Sequence, residues 1–124
     1  MIQVKGRLSS ERVKCLLDQW YEKKAAEKFT EFFEQNWALL KFSLDKPKLQ
    51  IKRLKKRWGS TSRKGLLTLN VDLICAPKEC IEYVIVHELC HLQCKNHNTQ
   101  FYKLLGKIMP DWERRKLKLE TAMS

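Results

Sequence analysis

The succession of apolar and polar positions divides the chain into a helical N-terminal third, a short extended middle and a helical C-terminal part. Val13, Leu16, Leu17, Trp20 and Tyr21, then Phe29, Phe32, Phe33, Trp37 and Leu40, recur at spacings of three and four. That period is one face of an α-helix, so a long amphipathic helix, or two in line, is expected after Ser9 and Ser10. Either serine suits the cap, and the stretch from Lys41 to Pro47 carries the break that ends the helix. The aromatic residues of this segment are expected in the core.

From Lys48 to Arg57 the pattern shortens and becomes rich in Leu, Ile and Lys. From Leu66 to Val71, the residues Leu67, Leu69 and Val71 alternate with Leu66, Thr68 and Asn70. Both segments read as strands. The glycines and hydroxyls of Trp58 to Gly65 suit a turn, which predicts an antiparallel hairpin, and the imperfect alternation of the first strand predicts a bulge or an edge position. Pro77 suits the first position of a helix reaching Gln93. Phe101, Tyr102, Leu104, Leu105 and Ile108 mark a further helix that Pro110 stops or restarts. The expectation is one α+β domain over residues 1–124, with a long N-terminal helix, a small antiparallel sheet and C-terminal helices.

Composition agrees with a packed core, since 44% of the 124 residues are hydrophobic and 10% aromatic. No stretch approaches the roughly 18 apolar residues of a membrane span, and the first eight residues lack the apolar run of a secretory signal. A soluble, cytoplasmic protein without a membrane partner is expected. The odd number of cysteines, at positions 15, 75, 80, 90 and 94, fits reduced thiols in a reducing compartment. Lys and Arg exceed Asp and Glu by 25 to 14, and the tract from Lys46 to Val71 holds nine basic residues and no acid. Such a tract attracts nucleic acid, an anionic surface or an acidic polypeptide, or else forms a solvated face.

The chemistry concentrates at His87-Glu88-Leu89-Cys90-His91. Two imidazoles four residues apart on a helix differ in direction by about 40°, so both can reach one ion. Glu88 projects beside that pair, able to touch a water at the ion without being a ligand. A third ligand leaves one open position on a tetrahedral zinc. His97 can supply it if the helix ends near Lys95-Asn96 and Asn96 turns the chain back. The candidate site is therefore a single Zn²⁺ held by His87, His91 and His97, with Glu88 as general base. Three ordinary surface histidines are the bland alternative, although all the histidines of the chain lie within these eleven residues. Cys90 and Cys94 could form a mixed His/Cys structural zinc site, and Glu113 or Glu120 could offer a carboxylate third ligand.

Trp58-Gly59-Ser60, Leu69-Asn70, the segment from Ala76-Pro77 to His91, Asn96-His97, Phe101-Tyr102 and Pro110-Asp111-Trp112 occur in that order. From about Lys52 onward the chain thereby resembles the YgjP-like metallopeptidases, relatives of the SprT-like and WLM groups of zincins. The resemblance implies a minimal zincin fold with a small sheet on the motif helix, the same three histidine ligands and the same glutamate base. The histidine spacing also matches the metzincins, but the glycine of that pattern falls at Cys94, which disfavours them. The family often has Cys where this chain has Thr61, a departure expected to leave the strand intact.

The expected reaction is hydrolysis of peptide bonds in a peptide or protein substrate, with Glu88 moving the proton of a zinc-activated water. Tyr102 is a candidate for oxyanion stabilisation, with core packing as its alternative. If the first strand is an edge beside the cleft, a substrate can add to it as a further strand with Trp58, Gly59 and Ser60 lining the groove. Trp58 as a core anchor and Gly59 as a simple turn is the other reading. A different class of function is a zinc-stabilised module that grips nucleic acid through residues 46–71, or a protease recruited to DNA. A carboxylate poised beside an open metal position argues for the enzyme.

Overall fold

The structure, a computed structural model, describes residues 10–40 and 44–122, with side chains from Leu17 onward. Ser9, the side chains of Ser10, Val13, Cys15 and Leu16, and part of the Lys41–Pro47 break lie outside the described residues. Helix α1 (Ser10–Leu40) is one unbroken helix of 31 residues. Ala25, Phe29, Phe32, Phe33 and Asn36 form its buried stripe, at spacings that return to one face. Asn36 tolerates this setting because its amide donates to the Phe32 carbonyl at 2.7 Å. Not every aromatic is core, however. Trp20 is 53% exposed, because its position falls on the helix face opposite the stripe.

Three short strands follow, β1 (Lys48–Lys52), β2 (Gly59–Thr61) and β3 (Leu66–Asn70), in the spatial order β1-β3-β2. The expected antiparallel sheet is in fact mixed. β1 runs parallel to β3, from Lys48 opposite Leu66 to Lys52 opposite Asn70. β2, inside the segment read as a turn, is the antiparallel partner of β3. A tight turn cannot join parallel strands, so residues 53–65 cross over and form the second edge on the way. The true turn is Ser62–Gly65, where the Gly65 amide donates to the Ser62 carbonyl and φ is 80° at Gly65, a conformation that favours glycine. β1 is an edge strand, as expected.

Asn70 fixes this arrangement from the end of β3. Its amide nitrogen donates to the carbonyls of Leu54 and Arg57, both at 2.9 Å. Its oxygen accepts from the Asp72 amide and so caps a 3₁₀ turn over Val71–Cys75. One buried side chain thus ties the crossover loop to the central strand.

Helix α2 (Lys78–Cys90) is buried along most of its length, from Cys80 to Cys90. It packs against α1, β2, β3, α3 (Thr99–Ile108) and α4 (Trp112–Ala122), which is why its sequence is apolar on several faces. Pro77 occupies the cap position, one residue ahead of its expected place. The helix stops at Cys90 rather than Gln93, closing through bonds from the His91, Leu92 and Gln93 amides to carbonyls three residues back. The Asn98 side chain caps α3 by accepting from the Phe101 amide, and the break around Pro110 separates α3 from α4 as expected. No described helix is long and apolar enough to cross a membrane.

Candidate metal centre

His87 and His91 stand on the last turn of α2 and its cap, and His97 arrives from the loop that leads into α3. Their ring centroids lie 5.0, 5.1 and 4.6 Å apart. One nitrogen from each falls within 4.8 Å of the others. An ion with bonds of about 2 Å to three imidazoles fits this grouping after small side-chain rotations. Among the described residues no cysteine or carboxylate joins the group.

Hydrogen bonds select the tautomers. His91 Nδ1 lies 3.2 Å from the Cys94 carbonyl, which only accepts, so Nδ1 carries the proton and Nε2 keeps its lone pair. His87 Nδ1 makes the same kind of contact with Glu88 Oε2 at 3.2 Å. At His97, lost hydration and then the neighbouring rings of His91 and His87 lower the pKa below its ordinary value, favouring the neutral imidazole that binds metal. Phe101, fully buried, lies 5.1, 4.6 and 4.9 Å from the three rings and forms their common floor.

Glu88 is 7% exposed and is held at both oxygens, Oε1 accepting from Thr61 Oγ1 at 2.8 Å and Oε2 facing His87 Nδ1. Thr61 Oγ1 also lies 3.0 Å from the Glu88 carbonyl, so its one proton is shared between two acceptors of the same glutamate. A Cβ at Gly59 would stand 2.9 Å from Glu88 Cγ and 3.0 Å from Val84 Cγ1. Gly59 therefore belongs to the strand and permits its close approach to α2, rather than merely turning the chain.

A cleft of about 690 Å³ opens beside the triad, lined by Gly59, Ser60 and Thr61 on one wall and His87, Glu88 and His91 on the other. The edge beside the site is thus β2, not β1. Trp58 is half-buried, packs on the core and lines a second pocket of about 300 Å³ on the far side of Gly59. Tyr102 is neither in the core nor on the cleft; its ring stacks on Trp112 and His97, facing another depression. Cys90 is buried in the core, and burial, then Cys94, pushes its thiol up to about 12.

Two contributors escaped the sequence reading. Thr61 is one, although its departure from the resembling family marked the position. Tyr83, one turn before His87 on the same helix face, is the other. Its ring centre is 5.8 Å from that of His87, and burial, then the charges of Tyr102, Glu120 and Glu88, push its hydroxyl up to about 12. The basic tract, for its part, is divided: Lys46 pairs with Glu34, and Arg53 with Asp18 and Asp72, while Arg57 and Arg63 face the cleft.

A mixed sheet packed on a helix that ends in converging histidines, with a buried glutamate alongside, is the architecture of a metallopeptidase. The family model of the YgjP-like metallopeptidase domain matches residues 1–122, and the chain belongs to that family. Among solved structures it is similar to the metallopeptidase zymogen of Methanocaldococcus jannaschii jannalysin, at 24% identity and a TM-score of 0.66, over 77% of this chain and 97% of that one. It is also similar to the zymogen of Pyrococcus abyssi abylysin, at 24% identity and a TM-score of 0.64, over 77% and 91% of the respective chains. These likenesses concern the fold. No curated protein matches the sequence.

Proposed function

We propose that this metallopeptidase is zinc-dependent, with His87, His91 and His97 holding one ion per chain and Glu88 acting as general base on peptide bonds. The observation that carries this reading is the Glu88 carboxylate, buried and fixed at both oxygens beside the three imidazoles yet outside their group. Bound zinc supplies Lewis acidity toward a peptide carbonyl and lowers the pKa of water toward neutrality. The protein's part is positional. Phe101 and the Cys94 carbonyl orient the imidazoles, and Thr61 aims the Glu88 carboxylate, which takes the proton of the attacking water and delivers it to the leaving amine. The free edge of β2 offers main-chain partners to an extended substrate.

The setting we propose is cytoplasmic, supported by Cys75, Cys80, Cys90 and Cys94 all being free thiols. Metal analysis of the purified chain and of His97→Ala tests the ligand set. About one zinc per wild-type chain and loss of most of it in the variant are expected. Full occupancy in the variant would remove His97 from the site.

A further inference from the structure

The cleft carries an uncompensated charge. Arg57, Arg63 and Lys95 line it, and the single carboxylate among the lining residues is Glu88, whose oxygens are engaged by Thr61 and His87. None of the three cations forms an ion pair among the described residues, whereas Lys46 and Arg53 in the same tract do. Arg57 lies two residues before β2, Arg63 two residues after it, and Lys95 on the opposite wall beyond the end of α2. A chain laid along β2 therefore meets a cation at each end of the strand and another across the groove.

Past Gly59 and Glu88 the surface changes character. The pocket of about 300 Å³ there has apolar walls from Trp58, Tyr83, Val84 and Leu119, and its one cation, Lys116, stands against the carboxylates of Glu120 and Glu88. It has room for one large side chain, and its net negative charge repels an acidic one. The two cavities share Gly59, His87 and Glu88, so they meet at the candidate base. A polypeptide crossing Glu88 encounters cations on one side and an apolar pocket on the other.

We propose that the enzyme selects acidic polypeptide segments. Glu or Asp side chains on one side of the cleaved bond pair with Arg57, Arg63 and Lys95, and a large apolar residue on the other side fills the pocket between Trp58 and Leu119. This rests on the peptidase reading above and adds the substrate class. Exposed pairs are individually weak, each changing binding by a factor of about two to five, but three acting on one segment reach tenfold or more. The effect fades with salt, because the Debye length shortens to about 8 Å at physiological ionic strength. Burying the apolar side chain contributes on the order of tenfold and persists in salt.

The test uses labelled peptides that differ only in their flank, Glu-rich or Lys-rich, and in the neighbouring residue, Leu or Ala. Binding is read by fluorescence anisotropy on zinc-loaded and chelated protein, and cleavage is read separately. The Glu–Leu peptide should bind at least tenfold more tightly than its Lys counterpart at low salt, and replacing Leu by Ala should weaken binding by about tenfold. The triple variant Arg57→Glu, Arg63→Glu, Lys95→Glu changes only exposed side chains, so its melting temperature should hold while its preference inverts. Equal binding of the flanks, or an unchanged preference in the triple variant, overturns the proposal. Tighter binding of a single-stranded oligonucleotide that displaces the peptide would overturn it in favour of nucleic acid. Cleavage without charge preference would remove this inference alone, whereas charge-selective binding with no cleavage of any peptide would support the recognition and remove the peptidase reading.

Discussion

One wall of the cleft is the end of α2, backed by Leu89, Cys90 and Phe101, each fully buried. The other is β2, three residues long, none of them fully buried. The helical wall presents two of the imidazoles, His87 and His91, and the carboxylate, and packing plus hydrogen bonds fix their directions. The strand wall presents a glycine, two hydroxyls and an open backbone edge, with cations beyond each end. Groups that must converge to within fractions of an ångström sit where the core is densest, and groups that meet a variable partner sit where it is thin. Thr61 and Gly59 join the two, one by its hydroxyl donating to Glu88 and the other by having no side chain to hold the strand away.

Removing the floor of the helical wall should have the largest effect. Phe101→Ala is expected to cost about 3–5 kcal/mol in chemical denaturation and to weaken zinc binding in a competition assay. A variant as stable and as metal-avid as wild type would show that the rings need no common support. Next in size is Gly59→Ala, whose added methyl must displace either β2 or Glu88. A loss of about 1–3 kcal/mol in stability is expected, with a fall in cleavage rate larger than that of thermal stability. Thr61→Val should then lower kcat by about tenfold, the worth of one hydrogen bond to a charged group, with zinc content unchanged and Thr61→Ser restoring most of the rate. Unaltered kcat would mean that the strand wall does not aim the base.

The smallest effect lies away from the cleft, where α4 is tied to α2. Hydrogen bonds from Lys118 and then Arg114 hold Glu79 below the usual carboxylate range, and Arg114 and then Arg115 do the same for Asp111. A carboxylate lowered in the folded state stabilises the fold above its unfolded pKa, and that contribution is lost as pH falls through the folded value. Melting temperature should therefore decline slightly as pH drops below about 4. The decline should shrink in Asp111→Asn and in high salt, because these groups are exposed.

The helical wall was legible in the sequence and the strand wall was not, for physical reasons. His87, Glu88 and His91 carry their geometry in their spacing, since helix periodicity alone places them together. His97 was assignable because it is the one remaining histidine, while the earlier helix stop at Cys90 depended on local bonds that no residue type announces. β2 has no apolar alternation, because one of its edges serves the cleft and its glycine must stay small, so Gly-Ser-Thr read as a turn. That misreading also made a mixed sheet look antiparallel. On α1 the local spacing of three and four merged two faces, although the helix turn places Trp20 opposite Phe29, and only the face of Phe29 is buried. The resemblance of the segments from Trp58 to Trp112 to a known family supplied what periodicity could not.

The role of Glu88 is tested by comparing wild type with Glu88→Gln, which keeps the side chain's size but cannot take up a proton at neutral pH. Zinc content, melting temperature and cleavage of an unfolded acidic protein are to be read side by side on both. Equal zinc, similar melting and a rate lower by on the order of a hundredfold or more are expected. A variant that loses its zinc would make Glu88 a ligand, and one that cleaves as fast as wild type would contradict its role as the base.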